Sequence, residues 1–115
     1  MASGTIKSTS YGGGNSTLLA SGTPQSSWTA TLVTVQLSDN LSNYRYICAI
    51  EYSSDHAAVV SKELPIDLLK NGIDILGVYS PASSVAAAIK VRYLSDTSLG
   101  VSSFGYAEFR IYGIK

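Results

Sequence analysis

Charge is what this sequence has least of. Its 115 residues include eight Lys or Arg and eight Asp or Glu, so charged residues make up 14% of the chain and the formal net charge is zero. Ordinary soluble domains carry roughly 25%. Nucleic-acid backbones and anionic membrane surfaces are bound through clustered Lys and Arg, and this balance leaves no such cluster. The surface has to be built from Ser, Thr, Asn, Tyr and Gly. A neutral surface of that kind does little to keep copies apart, which points to an oligomer. Cysteine is nearly absent as well: Cys48 stands alone, which excludes an internal disulfide framework and a cysteine-built zinc site. Its setting in an apolar strand reads as a small buried hydrophobe. No apolar run approaches the ~18–20 residues of a membrane-spanning helix. The N-terminus lacks the basic-then-apolar pattern of a signal peptide.

What is present is strand. At this length the chain forms one domain that buries about two-thirds of the surface it exposes when unfolded, enough to fold on apolar burial. The clearest strand is Tyr44–Tyr52. Tyr44, Tyr46, Cys48, Ile50 and Tyr52 form an aromatic and apolar phase, and Arg45, Ile47, Ala49 and Glu51 a mixed one, so the first phase is expected to face the core. Trp28–Leu37 is dense in β-branched residues and reads as a strand, as do Ala57–Val60, Val85–Leu94 and Phe104–Lys115. In Val85–Leu94 the phase Val85, Ala87, Ile89, Val91 and Tyr93 is the expected core face; in Phe104–Lys115 it is Ala107, Phe109 and Ile111. Leu64–Leu76 admits two readings. Asn71-Gly72 suits a two-residue hairpin that would put Ile66, Leu68, Ile73 and Ile75 on one face. Pro65 and Gly72 also suit the start and end of a short helical turn. The hairpin is the preferred reading.

Seven to nine strands separated by turn signals, with no long helix, predict an all-β sandwich or small barrel. The organisation expected is an N-terminal arm, residues 1–27, rich in Ser, Thr and Gly with short edge strands, followed by a β domain over residues 28–115.

Catalytic chemistry finds little to stand on. His56 is the only histidine, Asp55 beside it points the other way in an extended segment, and no Gly-x-Ser-x-Gly nucleophile motif accompanies it. The carboxylates fall mostly in turns or on solvent phases, where solubility and turn capping are their usual roles. Tyr11-Gly12-Gly13-Gly14-Asn15 lacks the Lys-Ser/Thr of a phosphate cradle and reads as a flexible loop. The sequence therefore predicts no catalytic residue, no metal and no cofactor. Eight tyrosines are the better clue. Tyr44, Tyr46 and Tyr93 fall on core phases, whereas Tyr11, Tyr52 and Tyr79 fall in or beside turns rich in Ser, Gly and Asn. Rigid amphipathic rings among small polar groups are the composition of a binding surface. Tyr52, Asp55, His56 and Tyr79 are the candidate contact residues.

Three stretches carry a family resemblance. Leu37-Ser38-Asp39-Asn40-Leu41-Ser42-Asn43-Tyr44-Arg45-Tyr46-Ile47 resembles a pattern found in the C-terminal tip domains of bacteriophage tail fibres and related prophage tail proteins, an L-S-D lead-in followed by N-Y-K/R. Ile89–Ser98 and the closing Phe109-Arg110-Ile111-Tyr112-Gly113-Ile114-Lys115 fit the same pattern, so the resemblance covers roughly residues 28–115. It implies an antiparallel, jelly-roll-like β-sandwich that assembles as a homotrimer at the distal end of a virion's tail fibre. Such a protein is made in the host cytoplasm and acts outside the cell. It implies attachment to a bacterial surface glycan or outer-surface protein through loops, with no enzymatic activity, no nucleic acid and no membrane insertion. The alternatives are a structural virion protein (a trimerisation cap, baseplate or capsid jelly roll) and a surface-polysaccharide hydrolase.

Overall fold

The computed structural model describes residues 15–25, 31–52, 58–60, 63–80, 86–105 and 108–115. Its strands are β1 (Ser16–Gly22), β2 (Val33–Gln36), β3 (Tyr46–Tyr52), β4 (Ala58–Val60), β5 (Leu64–Pro65), β6 (Ile75–Tyr79), β7 (Ala87–Ser95), β8 (Ser98–Phe104) and β9 (Glu108–Ile114). A 3-10 turn, Leu41–Asn43, precedes β3, and one short helix, α1 (Ile66–Lys70), precedes β6. The fold is all-β, as expected. One sheet has the order β1-β9-β3-β4, with β5 also on β3; the other has the order β2-β8-β7-β6. Among the described residues every strand pair is antiparallel. No helix among the described residues is long and apolar enough to cross a membrane.

A single apolar cluster draws on both sheets. Leu19, Ile47, Ala49, Phe109 and Ile111 come from the first, and Ile75, Ile89, Val91, Leu99 and Val101 from the second; Leu41, Ile66 and Leu69 complete it. Each fully buried side chain of Leu or Ile size stabilises the fold by about 1.5–3 kcal/mol relative to exposure. In β7 and β9 the expected core residues Ala87, Ile89, Val91, Phe109 and Ile111 are buried and Tyr93 is half-buried, while Val85 and Ala107 lie outside the described residues.

The phase of β3 is the reverse of the expected one. Ile47, Ala49 and Glu51 face inward and are fully buried. They stand opposite Gly113, Ile111 and Phe109 of β9, while Tyr46, Cys48 and Ile50 share the outer face with Ile114, Tyr112 and Arg110. Alternation could not choose between the faces because both phases of β3 are largely apolar; the register with β9 decides. Tyr44 is buried as expected, but it lies ahead of the strand and packs at its end.

The hairpin over 64–76 is also corrected. Ile66–Lys70 is helical, and its N-terminal residue is fixed by a 2.9 Å hydrogen bond from the Ile66 amide to the Arg45 carbonyl. The helix buries Ile66 and Leu69, one turn apart, whereas the hairpin face would have buried Leu68 and Ile73, which are 43% and 51% exposed. It ends where Gly72 takes φ 99°. The Gly72 amide donates to Leu69 O and the Ile73 amide to Leu68 O, both at 3.1 Å. These are the paired bonds by which a left-handed residue closes a helix. The sequence reading also missed β8, whose Gly100, Ser102 and Ser103 disguise a strand buried on both faces.

Substituting Gly72→Ala forces a Cβ into the left-handed region, and the expected loss is about 1–2 kcal/mol in urea unfolding. An unchanged midpoint would contradict the helix end described here.

Candidate functional site

The two ends of the sheets are built differently. At one end the register brings together Tyr52, Ala58 and Glu108 in the first sheet, and Tyr79, Ala87, Ala88 and Phe104 in the second. Gly22 pairs with Phe109, and three residues later Gln25 bridges to Phe104, which ties the two groups to the same end. Gln25 is held there by its amide to Ser103 O at 2.8 Å and by Ser102 Oγ to its Oε1 at 3.2 Å. Strand ends therefore deliver the connections after β1, β3, β6 and β8 to one place. Of the four candidate contact residues, Tyr52 and Tyr79 have their backbones at this end, on different sheets, and Tyr79 is exposed. Asp55 and His56 lie outside the described residues, as does Tyr11.

The opposite end is pinned by two matching Asp–Tyr pairs. Tyr44 Oη donates to Asp39 Oδ2 at 2.8 Å, and Asp39 Oδ1 also accepts from the Asn40 amide at 2.8 Å and Asn43 Nδ2 at 2.9 Å. Tyr93 Oη donates to Asp96 Oδ1 at 2.9 Å, and Lys70 Nζ reaches the same oxygen at 2.9 Å. A lysine lies over each ring: Lys115 is 5.7 Å from the Tyr44 centroid and Lys70 is 5.9 Å from that of Tyr93. Gly113 makes room for the first pair, since a Cβ there would stand 2.7 Å from Tyr44 Cγ. The Lys115 amide donates to Asn15 O at 2.9 Å, so residues 15 and 115 meet at this pinned end.

Hydrogen bonding sets the charge states of these pairs. The bond from Tyr44, then that from the Asn40 amide, lowers the Asp39 carboxyl below its ordinary 3.8. The bonds from Lys70 and then Tyr93 do the same for Asp96. For the Tyr44 hydroxyl, a bond from Thr17 pulls its pKa down, while burial and the Asp39 carboxylate together push it further up.

The outer face of the first sheet offers a third surface. Ser16, Cys48, Ile50, Tyr112 and Ile114 line an apolar groove of about 180 Å³. Cys48 is buried in it as a free thiol, a small hydrophobe as expected, although on the outer side of its strand. Arg110 at its margin is held protonated by hydrogen bonds with Tyr112 and then Glu108, the latter at 3.2 Å. Nothing in the local sequence marks this groove, because it depends on the β3–β9 register. Nor could the sequence have found the full burial of Glu51, which occupies what reads as a solvent phase.

Two expectations follow for the pinned end. Because both carboxyls titrate below their ordinary value in the fold, their contribution is complete above about pH 4 and is lost as pH falls through the folded values. The double variant Asp39→Asn/Asp96→Asn should be less stable at pH 7 and lose less on going from pH 7 to pH 3, measured by urea unfolding; an acid dependence as steep as the wild type's would refute the pairing. Gly113→Ala should cost about 1–3 kcal/mol by overpacking Tyr44, and an unperturbed variant would contradict the ring's placement.

Comparison with known proteins returns no match to the chain among protein-family models, curated proteins or solved structures.

Proposed function

We propose that this chain is the non-enzymatic, host-receptor-binding tip of a bacteriophage tail fibre. In this reading its two sheets form a jelly-roll-like β-sandwich that assembles as a homotrimer. The single observation that carries the reading is the division between the two ends. Residues 15 and 115 meet at the end locked by the Asp–Tyr pairs, while the strand ends at Tyr52, Tyr79 and Phe104 send their connections out at the other. A scaffold closed by side-chain hydrogen bonds at one end, with strand ends gathered at the other, suits a surface that must vary while its support does not. The nested pairing supports the sandwich: β1 pairs with β9 in one sheet and β2 with β8 in the other.

The outer face of the second sheet supports assembly. Leu76 and Val78 project from edge strand β6 at 59% and 47% exposure. Beside them Asp74 takes up both cations of the face, Arg92 at 2.8 Å and Lys90 at 3.8 Å. A second copy packed there would bury apolar side chains beside cations that already share a carboxylate partner, and would cover the exposed edge. Three copies would then present three sets of tip loops, multiplying a weak glycan contact by avidity.

Light scattering on a sizing column should give a trimer at micromolar concentration, and Leu76→Glu/Val78→Glu should shift it to monomer; a monomeric wild type would sink the assembly. The wild-type trimer should adhere to cells of a susceptible bacterial host, and replacing residues 53–57 and 81–85 with Gly/Ser linkers should remove adhesion without changing the mass. An intact trimer that binds no host cell would refute receptor binding.

A further inference from the structure

The corner where β3 begins and the β5–α1 connection folds over it encloses a cleft of about 290 Å³, lined by Tyr44, Arg45, Tyr46, Pro65, Ile66 and Asp67. The geometry points to this cleft as a binding site for a neutral sugar ring, separate from the loop-bearing end. Its walls are set by backbone. The Arg45 amide donates to Ile114 O at 2.8 Å and the Ile66 amide to Arg45 O at 2.9 Å, while Tyr46 is paired with Pro65. The backbone of the site is therefore already in place, and the ordering cost left for binding is that of the side chains.

Its chemistry selects the ligand. Arg45 and Asp67 are exposed residues of opposite charge on the lining, and among the described residues neither side chain makes a hydrogen bond or an ion pair. A guanidinium only donates and a carboxylate only accepts. A free anion would meet the Asp67 carboxylate and a free cation the Arg45 guanidinium, so each is opposed by half of the site. A neutral molecule with several hydroxyls satisfies both, donating to Asp67 and accepting from Arg45. Tyr46 is half-buried and Pro65 lies beside it, which adds an apolar wall for the C–H face of a pyranose. The volume is that of about ten waters at ~30 Å³ each. That accommodates one ring whose neighbours would extend into solvent.

This site does not rest on the receptor-binding reading, and the two fail separately. The ¹⁵N-labelled full chain would be titrated with the methyl glycosides of glucose, galactose and N-acetylglucosamine, following backbone amides by NMR. At least one glycoside should produce saturable shifts at Arg45, Tyr46, Ile66 and Asp67, with dissociation in the millimolar range. Asp67→Ala and Arg45→Met, each with a spectrum otherwise like the wild type's, should weaken that binding on the order of tenfold, as expected for losing a charge-assisted hydrogen bond. Sodium acetate and tetramethylammonium chloride should give no saturable shift at these amides. Absence of saturable shifts with all three glycosides, tighter binding of either ion, or affinity unchanged in both variants would each overturn the proposal.

Discussion

The placement of the Tyr44 ring against Gly113 is the constraint on which the pinned end depends. The ring can lie there only because position 113 has no side chain, and it brings its hydroxyl to Asp39, which in turn organises the 3-10 turn through Asn40 and Asn43. That turn is joined to the second sheet as well, since the Leu41 amide donates to Asp96 O at 2.8 Å. Asp96 in turn holds Tyr93 and Lys70. One small-residue contact thus links the first sheet, the turn, the β7–β8 connection and the helix. Isolated exposed ion pairs contribute little. Here the effect comes from geometry, because Asp96 is shared by Lys70 of α1 and Tyr93 of β7, while Asp39 gathers the 3-10 turn and both of its caps.

Apart from Lys70, the residues of this network come from the three stretches on which the sequence resemblance was drawn. Asp39 and Tyr44 come from the first, Tyr93 and Asp96 from the second, and Gly113 and Lys115 from the third. These residues describe how one end of the fold is closed. A resemblance carried by such residues speaks to scaffold.

The sequence was most legible where one phase of a strand was clearly more apolar than the other. In β7, Lys90 and Arg92 oppose Ile89 and Val91, and the core face follows at once. In β3 both phases could be buried, so the choice passed to β9, some sixty residues away in the chain (Ala49 opposite Ile111). Propensity favoured a hairpin at Asn71-Gly72, but Arg45 O captured the Ile66 amide and the core took Leu69 in place of Leu68. In β8, Ser and Gly read as loop because their burial comes from neighbours on both sides. The candidate contacts Tyr52 and Tyr79 were legible as strand ends. That their backbones share one end of the two sheets was not, since it follows from pairings through Gln25 and Phe104.

The meeting of Asn15 and Lys115 at the pinned end has a mechanical consequence. A force that arrives at Asn15 while the opposite end of the sheets is held runs along β1, parallel to the strand. β1 is bonded to β9 from Ser16↔Ile114 to Gly22↔Phe109, and antiparallel hydrogen bonds lie perpendicular to the strands. The load is therefore applied in shear, and the bonds along this register resist it together. Had residue 15 emerged at that opposite end, the same pull would have peeled β1 away one pair at a time.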